Sequence, residues 1–111
     1  MAIVEKSVLV GHSAAKMYAL VEQVEAYPQF LPWCSGAEVQ RADKQRAVAT
    51  LHVNYHGLRQ NFTTENRMEE AALIEMTLIH GPFHHLDGFW RFVPLAENAC
   101  KVEFRLSYEL S

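Results

Sequence analysis

His80, His84, His85 and Asp87 fall within eight positions, and so dense a group of imidazoles and a carboxylate invites a metal reading. Their spacing matches no closed zinc pattern, and adjacent histidines on a strand point to opposite faces. They read as solvated turn residues, and no metal ligands are assigned. Cys34 and Cys100 lie far apart, with no CxxC or Cys/His ligand spacing, and read as reduced thiols inside the fold. Catalysis by a nucleophile with its base, by paired carboxylates in an apolar setting, or at a Gly-rich phosphate loop finds no matching residues, so no catalytic residue is assigned. Tyr18, Tyr55, Asn66 and Arg67 are the polar groups with the reach to enter a cavity and polarise a carbonyl. The favoured reading of each is a structural hydrogen-bonding group. Arg67 points opposite to Asn66, so the two cannot act together.

The richer chemistry is apolar. Tyr27-Pro28-Gln29-Phe30-Leu31-Pro32-Trp33 packs two prolines among large side chains, which holds Tyr27, Phe30, Leu31 and Trp33 at low entropic cost. Such a segment suits a cavity mouth, a membrane surface, or a plug for the end of a core. Pro82-Phe83 forms a second apolar turn able to face it. Leu51, Val53, Tyr55, Phe62, Met76, Leu78, Trp90 and Phe92 sit at inward strand positions. They are core residues of such a fold and, together with Tyr27, Phe30, Leu31, Trp33 and Phe83, the candidate ligand contacts.

The elements that must carry these residues follow from hydrophobic period. Ile3 to Val10 is β-branched and apolar on both faces, which predicts a strand covered on at least part of each side. Ser13 is placed as an N-cap, and Met17, Leu20, Val21 and Val24 recur at helical spacing, so one helix of about a dozen residues is expected, ended by Pro28. From Ser35 the period becomes two. Ala47, Ala49, Leu51, Val53 and Tyr55 form one inward row; Ile74, Met76 and Leu78 form another; Cys100, Val102, Phe104, Leu106, Tyr108 and Leu110 form the cleanest. Leu58 to Met68 is a more polar strand with Gln60, Phe62, Thr64 and Asn66 on one face, and Leu86 to Val93 carries Trp90 and Phe92. Asp43-Lys44 and His56-Gly57 supply tight turns, and Ala96-Glu97-Asn98 a longer connection. The expected fold is α+β: an antiparallel meander of about seven strands with a helix after the first.

The 111 residues, 50% hydrophobic and 21% charged, make one domain spanning 1–111, able to bury about two thirds of its unfolded surface without disulfides or metal. Ten Lys+Arg against thirteen Asp+Glu give a net charge of −3 with no basic cluster, which argues against direct DNA binding. No signal-peptide pattern and no run of about 18 apolar residues is present, so a cytoplasmic protein is expected. One helix cannot cover so large a sheet. The expectation is therefore a domain truncated at its C-terminal end, its covering helix lying outside this sequence, or a sheet face buried by a second copy of the chain.

The strand, the capped helix, the Tyr-Pro-x-Phe-Leu-Pro-x-Cys segment, Gly81-Pro82-Phe83, Leu86-x-Gly88-x-Trp90-x-Phe92 and Cys100-x-Val102-x-Phe104 together resemble the START-like helix-grip proteins. Within them, the chain looks like the branch joining coenzyme-Q-binding START proteins to the ribosome-association toxin RatA, often labelled polyketide or oligoketide cyclase/dehydrase. The resemblance runs from Val4 to Leu110. It implies a curved sheet closed by a long C-terminal helix around an apolar cavity. It also implies non-catalytic binding of a hydrophobic isoprenoid such as ubiquinone in support of respiration, with peripheral contact at the inner face of the cytoplasmic membrane and no other cofactor. The alternatives it implies are a RatA-like toxin that binds a ribosomal subunit and blocks subunit association, sometimes with an antitoxin partner, and a polyketide cyclase/dehydrase.

Overall fold

A computed structural model describes residues 1–29, 31–55 and 57–111; Phe30, His56 and the side chains of Tyr55 and Leu58 lie outside the described residues. Two of the expected ligand contacts, Phe30 and Tyr55, and half of the expected His56-Gly57 turn therefore fall outside it.

Alternation of apolar and polar residues produces strands β1 (Ala2–Val10), β2 (Cys34–Arg41), β3 (Arg46–Tyr55), β4 (Leu58–Glu69), β5 (Leu73–His80), β6 (Phe83–Ala96) and β7 (Ala99–Leu110). They form one antiparallel sheet in the order β1-β7-β6-β5-β4-β3-β2. Register shifts at Cys34/Gly36, Thr63/Thr64, Phe83/His85 and Pro94/Ala96 are bulges, and each bends its strand and raises the local twist, which curves the sheet. Gly57 (φ +80) turns β3 into β4 directly between the paired Tyr55 and Leu58. The β6–β7 connection is tighter than the expected longer link, because Ala96 already pairs with Ala99.

Ser13 caps helix α1 (Ala14–Glu22), its Oγ accepting the Lys16 amide at 3.1 Å. The helix lies on β6 and β7. Ala14, Met17, Tyr18 and Val21 face inward, but Leu20 is 55% exposed, because at about 100° per residue it lies off that face. Pro28 does not end the helix. It stops at Glu22, whose carbonyl accepts from Arg41 Nη2 (3.2 Å), an outside partner for a helix-terminal carbonyl. Pro28 sits inside a following 3₁₀ helix (Val24–Gln29) that packs on β2.

Beneath α1, Tyr18, Met68, Ile74, Phe92, Cys100 and Val102 form the closed core. Tyr18 meets Phe92 edge-on, with ring centroids 5.7 Å apart. The two-sided cover expected for β1 is absent. It is an edge strand paired with β7 along Ala2–Val10; Val4 and Val10 are half-buried, Val10 against the core under α1, while Ile3, Val8 and Leu9 are exposed. Among the described residues, no helix is long and apolar enough to cross a membrane.

Candidate functional site

Because α1 is nine residues long, it covers one end of the concave face, and the other end is left as a cavity of about 350 Å³. That volume falls in the range of about 300–1,000 Å³ typical of small-molecule pockets. The strands supply its walls by parity: Ala49 and Leu51 from β3, Phe62 and Met68 from β4, Ile74 and Met76 from β5, Leu86 and Trp90 from β6, Phe104 and Leu106 from β7. The Trp90 and Phe104 rings meet in a tilted contact, with centroids 4.5 Å apart and planes at 46°. The 3₁₀ helix closes one side with Val24 and Tyr27, and the turn at 31–33 adds Leu31 and Trp33. Main-chain bonds hold this segment: Leu31 N to Tyr27 O (2.9 Å), Cys34 N to Leu31 O (3.0 Å) and Asn54 N to Trp33 O (2.9 Å). The Tyr27 hydroxyl donates to Val21 O at 2.7 Å, and burial chiefly pushes its pKa up to about 12.

Of the sequence-derived candidates, Tyr27, Leu31, Trp33, Leu51, Phe62, Met76 and Trp90 come together around this space. Four others do not line it. Phe92 is 2% exposed in the closed core under α1. Val53 is paired with Cys34 beyond the end of the cavity. Leu78 lies past the last β5–β6 pair, Thr77 with Asp87, where the two strands separate. Phe83 stands behind Phe62 in an edge-to-face series with Tyr108, with centroids 5.8 and 6.1 Å apart. Tyr18 belongs to the core rather than the cavity, and Arg67 is on the outer face with Glu69 and Glu75.

Two polar features were missed or under-read. At the solvent edge of the cavity Arg41 binds Glu22 (Nε–Oε1 2.9 Å) and Glu25 (Nη1–Oε2 2.7 Å), joining β2 to the end of α1. Hydrogen bonding from Arg41 holds the Glu25 carboxyl below its ordinary value. Their separation of 16 and 19 residues leaves no local signal. In the depth of the cavity, Thr64 and Asn66 are both 5% exposed, and Thr64 Oγ1 donates to Asn66 Oδ1 at 2.7 Å. The sequence names Asn66 among the carbonyl-polarising groups, and the polar parity of β4 is the signal for Thr64.

His80 and His84 are exposed, and His85 Nε2 lies 3.1 Å from Asp87 Oδ2. Among the described residues, no three His, Cys, Asp or Glu side chains are placed to hold a metal. Both cysteines are buried thiols.

A curved antiparallel sheet holding a helix over one end of an apolar cavity defines a START-like, helix-grip protein. The fold matches the crystal structure of the Zhui aromatase/cyclase from Streptomyces sp. R1128, with a TM-score of 0.88 and 20% identity over 99% of this chain and 68% of that one. The chain belongs to the family described as polyketide cyclase / dehydrase and lipid transport, whose model matches residues 10–111. It is 45% identical over 108 residues to the ribosome association toxin RatA of Vibrio cholerae serotype O1, covering 97% of this chain and 75% of the relative. It is 28% identical to the mitochondrial coenzyme Q-binding protein COQ10 homolog B of Xenopus laevis, covering 94% of this chain and 44% of the relative.

Proposed function

We propose that this domain binds a hydrophobic isoprenoid of the ubiquinone type without turning it over, and works at the inner face of the cytoplasmic membrane in support of respiration. The observation that carries this reading is the cavity itself: about 350 Å³ walled by aliphatic and aromatic side chains, with its polar groups confined to the Thr64–Asn66 pair and the solvent edge. Burial of an apolar ligand there gains about 25 cal/mol per Å² of surface removed from water. The Xenopus relative, a coenzyme Q-binding protein, supports the same ligand class. The test is extraction of the purified protein with organic solvent and mass spectrometry for quinone, alongside titration with a short-chain ubiquinone. Copurified quinone, and binding weakened by Trp33→Ala, support the reading; neither bound quinone nor titratable binding refutes it.

A second reading is favoured by the 45% identity to a ribosome association toxin over nearly the whole chain. In it the domain associates with a ribosomal subunit and blocks subunit joining. The net charge of −3 points such contact toward a ribosomal protein or a local patch rather than broad phosphate capture. Co-sedimentation with isolated subunits, lost at high salt, supports it; free protein at every salt concentration sinks it.

A further inference from the structure

We infer that the cavity selects a ligand carrying a neutral carbonyl oxygen, and that the side-chain amide of Asn66 is the donor that recognises it; this rests on the ligand-binding reading above. Thr64 and Asn66 are two apart on β4, so both project from the same face into the cavity. The Thr64 hydroxyl donates to Asn66 Oδ1 at 2.7 Å, which occupies the amide oxygen and sets the amide's orientation. Nδ2 is then left as the outward group, and it has no acceptor among the described residues. Among the described residues no fully occluded side-chain nitrogen or oxygen lacks a partner, so this nitrogen is reachable from the cavity. A donor 95% buried with its residue among apolar walls is costly unless an acceptor meets it.

The charge of the acceptor follows from Arg41. Among the described residues it is the one cation on the cavity lining, and its guanidinium is already taken up by Glu22 and Glu25 at the solvent edge. A carboxylate entering the depth would lose its hydration with no free cation to meet it. A neutral carbonyl, by contrast, needs one donor, and Asn66 offers it. Plain hydrocarbons leave that donor unmet, and ammonium ligands bring a donor to a donor.

The experiment uses two probes with one carbon skeleton: duroquinone, which carries two carbonyl oxygens, and durene, which carries none. Affinities are read by competition against a fluorescent apolar reporter in the wild-type chain, Asn66→Leu and Thr64→Val, with thermal unfolding confirming that each variant is folded. The wild type should prefer the quinone. In Asn66→Leu that preference should fall by about threefold to tenfold while durene binds as well or better, and Thr64→Val, which frees the amide to turn, should fall partway. A quinone preference that survives Asn66→Leu, or parallel weakening of both probes, overturns the Asn66 assignment while leaving the cavity reading intact. Failure of the wild type to bind either probe overturns both.

Discussion

Ala49→Leu separates a ligand cavity from an ordinary packed core, because the two predict opposite signs. Ala49 is 4% exposed, lies on β3 between Val39 and Thr64, lines the cavity and stands outside the closed cluster under α1. Leucine adds three carbons. Placed in empty apolar space, each contributes about 0.8 kcal/mol, about 2.4 kcal/mol in all. Fixing the leucine rotamer removes about 0.5–1 kcal/mol of that. The net gain is about 1.5–2 kcal/mol, and at about 4 °C per kcal/mol for a domain of this size Tm should rise by about 6–8 °C. A close-packed site would instead resist the extra volume and cost about 1–3 kcal/mol. Thermal unfolding by circular dichroism gives the sign. Titration of the same protein with a short-chain ubiquinone should show binding about tenfold weaker, because the leucine takes the ligand's place. A lowered Tm would refute the open cavity, and a raised Tm with unchanged quinone affinity would mean the ligand sits elsewhere.

Phe92→Ala should cost about 3–5 kcal/mol in urea unfolding, since the ring is 2% exposed and packs edge-on against Tyr18; a loss under 1 kcal/mol would contradict the closed core under α1. Arg41→Met should destabilise by about 1 kcal/mol or less per lost pair at neutral pH, because the partners are partly exposed. Glu25 has its folded pKa held below the ordinary 4.5, so its contribution is full above that value and is lost as pH falls through the folded one. The gap between wild type and Arg41→Met in urea unfolding should therefore close in acid and shrink in salt, and a gap that persists at low pH would rule out the Glu25 pairing. Tyr27 shows the opposite linkage: with its phenol pushed up to about 12 from 10.0, its contribution is full below pH 10 and is lost as pH rises toward 12. Burial raises Tyr18 as well, so ultraviolet phenolate titration should show a late-ionising fraction that shrinks by one tyrosine in Tyr27→Phe; a late fraction unchanged by Tyr27→Phe would refute its burial.

Parity along strands was legible, and height along them was not. The alternation in Cys100–Leu110 names the inward face of β7 without any tertiary information, and the same rule places Leu51, Phe62, Met76 and Trp90 on the concave side. Val53, Leu78 and Phe92 obey that parity too, but lie above, below or behind the cavity. What decides this is where α1 ends and where β5 and β6 part, both set by packing between distant segments. Small residues carry the converse lesson. Ala47 and Ala49 read as ordinary strand positions, yet their lack of bulk helps make the room. The Arg41 cluster depends on β2 returning beside the end of α1, which no local pattern encodes. The apolar stretch Ile3–Val10 reads as covered on both sides because hydrophobicity reports a tendency to pair, whereas β1 satisfies one edge through β7, half-buries only Val4 and Val10, and leaves Ile3, Val8 and Leu9 in water.

That pairing of β1 with β7 sets a schedule for the chain as it is made. Strands β2 to β7 each hydrogen-bond to their neighbour in sequence, so they can zip up one hairpin at a time behind the ribosome. β1 has no such neighbour: Ala2 pairs with Tyr108 and Val10 with Cys100. Its partner is synthesised roughly a hundred residues later, which at about 5–20 residues per second is a wait of about 5–20 seconds. Throughout that interval the first strand is an unpaired segment bearing Ile3, Val8 and Leu9, the kind of sequence that holding chaperones retain and that sticks to other nascent chains. Of the seven strands, the first to be made is thus the last to be seated.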